Sequence, residues 1–304
     1  MNTVVVNDLS KRYGAVQAVD GLTFSVQEGE LFGFIGPDGA GKTTLFRILV
    51  TLLLPDEGEA QVDGLDVVRH FKALRRRLGY MPGRFSLYQD LSVLENLTFF
   101  ATVFGTTIEA NYDLIKDIYR QIEPFKDRKA GKLSGGMKQK LALSCALVHR
   151  PRVLFLDEPT TGVDAVSRQE FWEMLQRLKA EGITIVVSTP YMDEAVLCDR
   201  VALMQNGQLL RVDTPSAIEA AYERPLFAVK AANRYALLQA LRSYPHTHTV
   251  YPFGESLHYT DTRPTTDPDA LRRYLYEQGL NDAEVHPIQA GIEDAFMALM
   301  QGAG

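Results

Sequence analysis

At 304 residues the chain has room for one large domain and one small one. Its 46% hydrophobic and 23% charged residues are those of an ordinary folded protein, which excludes a disordered or fibrous chain. A net charge of −6 argues against nucleic acid as the main partner, because phosphate backbones demand a basic surface.

Short β segments open the chain. Thr3–Val6 and Leu22–Val26 are β-rich, and Leu31-Phe32-Gly33-Phe34-Ile35 is a continuous apolar run, as expected of a strand buried on both faces. A helix is predicted from Lys42 to about Leu53, closed by Leu54-Pro55-Asp56-Glu57-Gly58. From Leu91 to Arg150 the period is helical, with Leu94, Leu97, Phe100, Ala101 and Phe104 on one face. A parallel-sheet rhythm then returns: strand Val153–Leu156, helix Arg168–Ala180, strand Ile183–Ser188, and a helix beginning at Met192–Leu197. Val201–Met204 and Gln208–Val212 flank Asn206-Gly207, a strong hairpin signal. Beyond about Arg224 the order becomes βαββαβ and then α, which predicts a small ferredoxin-like α+β domain over 224–304. No apolar run reaches the roughly 20 residues of a membrane span, and the N-terminus lacks the basic start of a secretion signal. The expectation is a soluble chain that meets a membrane only through partners. Cys145 and Cys198 each sit in apolar stretches and read as reduced packing residues.

Gly36-Pro37-Asp38-Gly39-Ala40-Gly41-Lys42-Thr43-Thr44 matches G-x-x-x-x-G-K-[ST] between a predicted strand and a predicted helix, the context that the motif requires. Glycines let the backbone wrap a phosphate and turn N–H groups inward, and the helix that follows aims its positive end at the same place. Lys42 is placed to bridge the β- and γ-phosphates of ATP, and the Thr43 hydroxyl to bind Mg²⁺. Asp38 belongs to the loop, but a carboxylate there repels phosphate unless it points outward. Val153-Leu154-Phe155-Leu156-Asp157-Glu158-Pro159 is an apolar strand ending in two acids, Asp157 for Mg²⁺ and Glu158 to polarise the attacking water. In Leu133-Ser134-Gly135-Gly136-Met137, Ser134 is predicted to cap a helix, leaving a second anion site at its positive end.

The phosphate loop, the LSGG of 133–136, the LFLDEP strand and Gly162-Val163-Asp164 occur in the order and spacing of ATP-binding cassette ATPases, and the chain resembles that family over about Val4 to Val212. The resemblance implies a P-loop NTPase cassette over 1–223, a mostly parallel α/β sheet with N-terminal antiparallel strands and a helical subdomain at about 84–150. It also implies a head-to-tail dimer in which ATP lies between one phosphate loop and the facing Ser134-Gly135-Gly136. Tyr13 then stacks on adenine, and the Asp164 segment runs along the dimer interface. By the same resemblance the chain is a cytoplasmic, peripheral subunit that energises an exporter through multi-span permease partners. The tail Ile292-Glu293-Asp294-Ala295-Phe296-Met297 is similar to that of export subunits. A soluble cassette of translation or DNA repair is the lesser alternative, since the paired cassettes, coiled coil or basic arms of such proteins are not found here.

Two positions depart from the family pattern. Gly83, in Tyr80-Met81-Pro82-Gly83, stands where a glutamine is usual, and Pro190, in Ser188-Thr189-Pro190-Tyr191, where a histidine is usual. Neither can donate to a γ-phosphate from its side chain, and Pro190 lacks even its N–H. Either the site turns over slowly, or the subunit pairs with a different cassette and acts mainly as an ATP-binding regulatory partner. A hetero-pair is favoured. His246 and His248 could form a metal pair but have no third ligand, so they read as surface residues. Arg75-Arg76-Arg77 reads as a solvated face. Phe85, Leu87, Tyr88, Leu91, Phe99, Phe100 and Phe104 read mostly as core, with Phe85–Tyr88 where transporter cassettes receive a helix of the membrane subunit.

Overall fold

The computed structural model describes residues 1–264 and 267–302, and the chain divides into two compact units, Met1–Pro215 with the residues from Leu299 on, and Ser216–Ala298. The first unit opens with a long hairpin, β1 (Asn2–Tyr13) and β2 (Val16–Gln27). Both strands run well past their β-rich centres because the turn at Gly14 (φ +57°) folds the polar ends Lys11–Tyr13 back onto Val16–Val19. β3 (Leu31–Ile35) is buried along its whole length. Helix α1 (Lys42–Leu49) is shorter than predicted, since Thr51 adopts φ +67° and the chain turns away. Two strands unforeseen in the sequence follow, β4 (Glu57–Val62) and β5 (Leu65–Asp66). In β4 the alternation that buries only Ala60 and Val62 marks a strand with one covered face. After helix α2 (Phe71–Leu74) comes β6 (Leu78–Met81).

The region of helical period resolves into α3 (Val93–Val103), α4 (Tyr112–Tyr119) and α5 (Gly135–Leu147). A capping box starts α3: the Ser92 hydroxyl accepts from Glu95 N–H at 3.2 Å and the Glu95 carboxylate accepts from Ser92 N–H at 2.7 Å. The chain then alternates through β7 (Val153–Asp157), α6 (Ala165–Ala180), β8 (Thr184–Thr189), β9 (Arg200–Gln205) and β10 (Gln208–Asp213). Between β8 and β9, Met192–Leu197 is a six-residue 3₁₀ segment and not the start of a longer helix. Asn206 (φ +48°) and Gly207 (φ +80°) make the predicted hairpin turn.

The strands form two sheets, β2-β1-β4-β5, antiparallel, and β10-β9-β3-β8-β7-β6, parallel except for the β9–β10 pair. An aromatic ladder fixes α1 over the second sheet. The Phe46 ring meets Phe34 of β3 at 5.8 Å and Phe155 of β7 at 5.7 Å, both edge to face. Each such pair contributes about 0.5–1.5 kcal/mol beyond its buried area. The helix is thereby anchored on the two strands whose carboxyl ends carry the loop and the acids.

The aromatic cluster of 85–104 is not core. Only Leu87 is buried; Tyr88 and Phe99 are exposed and the remainder are half-buried. The face of α3 that packs is Val93, Asn96, Leu97 and Ala101, and the aromatic face is left uncovered. It borders a largely apolar groove of about 370 Å³ lined by Leu52, Leu87, Phe100, Val103, Phe104 and His149 among others.

In the second unit the element order is βαββαβ, and the strands lie in the antiparallel order Thr247–Phe253, Ser256–Asp261, Leu226–Lys230, Glu284–Ile288. Helices Arg234–Ser243 and Pro268–Glu277 supply Leu237, Leu241, Leu271 and Leu275 to its core. His246 packs edge-on against Tyr244, and no cluster of metal-ligating residues exists among the described residues.

Candidate nucleotide site

The loop after β3 is glycine-rich because it runs through a crowded place. A Cβ on Gly36 would lie 2.1 Å from the Met204 carbonyl oxygen, and one on Gly41 would lie 2.2 Å from that of Ala18. Gly41 also takes φ +105°, which an L side chain resists. Two backbone bonds hold the loop, and a third ties the neighbouring turn at Gly207 to β2. Gly36 N–H donates to Thr189 O at 3.3 Å, Gly207 N–H to Ala40 O at 2.9 Å, and Asp20 N–H to Gly207 O at 2.9 Å. Immediately beyond, α1 begins at Lys42, and its first-turn N–H groups lack intrahelical partners. Asp38 is exposed and is not among the residues that line the cleft described below.

The Lys42 ammonium is buried and donates to the carbonyls of Gly36 (2.7 Å) and Pro37 (2.9 Å), with the Glu158 carboxylate 3.3 Å away. Next to it, the Thr43 hydroxyl donates to Asp157 Oδ1 at 3.1 Å. Asp157 ends β7 opposite Ser188 of β8, whose hydroxyl donates to the same carboxylate oxygen at 2.7 Å and accepts from Glu158 N–H at 3.0 Å. Ser188 is a site residue that sequence reasoning passed over. The signal was a serine that closes the apolar run Ile185-Val186-Val187. Glu158 itself stands at φ +49°, a conformation costing a non-glycine residue of order 1 kcal/mol. Burial, and then the charge of Asp157, push the Tyr80 hydroxyl up to about 12.

A cleft of about 340 Å³ joins Lys42, Thr43 and Glu158 to Tyr13, Val16, Gln17 and Asn206. Tyr13 is 47% exposed on its rim. Thr43 and Asp157 supply hard oxygen donors side by side, a donor set that suits Mg²⁺ together with phosphate oxygens. The open left-handed Gly39 and the free N–H groups of α1 suit the phosphates.

Ser134, Gly135 and Gly136 are not among the lining of that cleft. Ser134 caps α5, accepting from Met137 N–H at 3.3 Å, so its hydroxyl hydrogen stays available for donation. The turn lies against the start of α6: a Cβ on Gly136 would sit 2.9 Å from Ser167 Oγ. Asp164 caps α6 by accepting from Ser167 N–H at 3.0 Å, and this bond holds its carboxyl below the usual carboxylate range. Gly83 leaves space beside the acids. A Cβ there would be 3.0 Å from Asp157 O and 3.7 Å from Glu158 Cβ, and Gly83, Gly135 and Glu158 line one further cavity of about 160 Å³. Pro190 directly follows β8.

A strand, a glycine loop and a helix bearing Lys-Thr, set beside a strand that ends in Asp-Glu, define a P-loop NTPase cassette. The chain belongs to the ABC transporter family of ATP-binding cassettes. The family model described as ABC transporter matches residues 19–161. The chain is 41% identical over its whole length to the probable multidrug ABC transporter ATP-binding protein YbhF of Escherichia coli K12, spanning 53% of that protein, about half its length. It is 37% identical to the Nod factor export ATP-binding protein I of Burkholderia lata, over 96% of this chain and 95% of that one. Among solved structures it is similar to cbiO1 of Clostridium perfringens, part of the ABC transporter complex cbiONQ (28% identity, 72% of this chain and 91% of that one, TM-score 0.65). It is also similar to the cassette MJ0796 in a dimeric, post-hydrolysis state bound to ADP and Pi (25% identity, 69% and 98%, TM-score 0.63).

Proposed function

We propose that this chain binds and hydrolyses ATP to drive an exporter whose membrane-spanning part is supplied by other subunits. The observation that carries the reading is the convergence of Lys42, Thr43, Asp157 and Glu158 at the carboxyl ends of β3 and β7. On ATP binding Lys42 leaves the carbonyls of Gly36 and Pro37 for the β- and γ-phosphates, and the loop N–H groups, with those of Thr43 and Thr44, cradle them. Thr43 and Asp157 would hold Mg²⁺, which supplies neutralisation of phosphate charge. Glu158, released from Lys42, accepts a proton from the attacking water, while its backbone N–H, donating to the Ser188 hydroxyl, fixes the backbone that carries it. Tyr13 stacks on adenine from the rim.

Turnover requires a second cassette, whose Ser134-Gly135-Gly136 equivalent closes over the γ-phosphate with the Asp164 segments side by side. Gly83 and Pro190, which bring no side-chain donor, favour a hetero-pair in which this site works slowly and this chain completes its partner's site. The uncovered aromatic face of α3 and the groove beside it suit a helix of a multi-span permease, consistent with a peripheral position on the inner face of the membrane. No helix among the described residues is long and apolar enough to cross a membrane. Export as the direction of transport rests on the relatives named for multidrug and Nod factor export.

The second reading, a regulatory cassette that binds ATP and barely turns it over, is favoured by the same two positions. ATPase assays on the wild type and Glu158→Gln, alone and with membrane proteins that co-purify in mild detergent, separate the two. The first reading expects hydrolysis that is abolished by Glu158→Gln, with ATP retained. Hydrolysis unchanged by that substitution moves the chemistry to the partner's site, and failure to bind ATP at all sinks both readings.

A further inference from the structure

Two loops leave the carboxyl ends of the central strands beside Glu158. One is Glu158–Asp164, between β7 and α6; the other is Pro190–Cys198, between β8 and β9. They are tied by a side-chain bond closed off from water. The Thr160 hydroxyl donates to Glu194 Oε1 at 2.8 Å, with Thr160 1% and Glu194 2% exposed. On the Thr160 side, backbone bonds Thr161 N–H to Glu158 O (3.3 Å) and Val163 N–H to Thr160 O (3.3 Å) make one compact turn that begins at Glu158. On the other side Glu194 N–H donates to Tyr191 O at 3.3 Å, so the carboxylate is continuous with the segment that starts at Pro190. Arg168 of α6 braces this second loop. Its guanidinium pairs with Asp193 at 3.1 Å, lies 3.8 Å from Glu194 Oε1 and stacks 5.0 Å over the Tyr191 ring.

Stability is a poor reason for a carboxylate at this place. Desolvating a carboxylate is costly, and Glu194 Oε2 has no hydrogen-bond partner among the described residues. An apolar side chain would fill the volume without that penalty. What the carboxylate supplies is a fixed distance between the turn that carries Glu158 and the loop that carries Pro190, where the chain has no histidine to read the γ-phosphate.

We propose that Glu194 is a positioning residue for hydrolysis, acting through Thr160 to hold the Glu158 turn in register with the Pro190 loop. The proposal rests on the reading of Glu158 as the base. An acceptor is what Thr160 needs, so Glu194→Gln, whose amide oxygen still accepts, keeps the link, and Glu194→Ala breaks it. Thr160→Val breaks it from the other side.

The test is made on the full chain with Mg-ATP. Glu194→Ala and Thr160→Val should each lower kcat about 10-fold or more while the Kd for ATP changes less than about 2-fold, the signature of lost geometry at the reacting centre. Glu194→Gln should keep at least about half of wild-type kcat. Amide hydrogen exchange gives a readout that does not need turnover: residues 158–164 should exchange about 10-fold faster in Glu194→Ala, with β7 and β8 unchanged. Glu194→Gln as slow as Glu194→Ala overturns the proposal, as does exchange altered only within 190–198. Equal losses of kcat and ATP affinity also overturn it, because they mark a general structural defect. If Glu158→Gln hydrolyses ATP normally, the base reading fails, and the exchange result still decides whether the two loops are coupled.

Discussion

Replacing Gly83 by glutamine asks how much of the rate is missing at this site. Gly83 sits outside the left-handed region, so its backbone admits a side chain. The new Cβ would start 3.7 Å from Glu158 Cβ, near enough for the carboxamide to reach the space beside the carboxylate. It would also lie 3.0 Å from the Asp157 carbonyl oxygen, so that peptide must tip by a few tenths of an ångström. Overpacking of this kind costs about 1 kcal/mol at the low end of its range. A donor that strengthens in the transition state contributes about 2.7–4 kcal/mol. The difference, about 2–3 kcal/mol, corresponds to roughly a 30- to 150-fold rise in kcat. Gly83→Gln alone, Pro190→His alone and the pair are assayed for phosphate release, with Pro190→Ala as the control for a loosened backbone. A wild-type chain that already turns over at about 1 s⁻¹ or faster, and gains nothing from either substitution, refutes the idea that these positions limit the site.

Lys42→Ala should weaken ATP binding by about 10-fold or more, since it removes the cation that serves the phosphates; a fluorescent ATP analogue reads this directly, and unaltered binding would place the nucleotide elsewhere. Ser134→Arg should leave this chain's own phosphate loop able to bind ATP but abolish transport by the assembled complex, because it fills the anion site offered to the partner; transport at wild-type rate would exclude the paired-site arrangement. Burial pushes the thiols of Cys145 and Cys198 far up, and at Cys198 the charge of Asp199 acts in the same direction. Both should therefore react with iodoacetamide at pH 8 at least about 100-fold more slowly in the native chain than in urea, as mass spectrometry would record.

The site was legible where chemistry forces residue type. Only glycine fits against Met204 O and Ala18 O, and only a strand with acids at its carboxyl end can face Lys42 and Thr43. That is why Gly36–Thr44 and Asp157-Glu158 could be read from spacing. What stayed hidden depends on pairing across the sheet. Ser188 matters because register sets it opposite Asp157, and Thr160 because it meets Glu194 some 34 positions along the chain. Neither neighbour is visible to local pattern. β4 and β5 escaped for a similar reason, as polar segments whose strand character comes from pairing, β4 with β1 and β5 with β4. The aromatic face of α3 misled in the opposite direction, since hydrophobic periodicity reports what a helix is able to bury and not whether this chain supplies the cover.

The three backbone bonds around the phosphate loop bear on how the protein is made. Residues 18–20, 36–41, 189 and 204–207 must all be in place before the cradle has its shape, although nearly 190 positions separate the first from the last. Such long-range closure is slow, because the entropy of the intervening loops is lost before the contacts form. The cradle is therefore complete only once the hairpin at Asn206-Gly207 has docked on the loop. A nascent chain still short of that hairpin lacks part of the wall, and ATP, present in the cell throughout, favours only chains that have completed it.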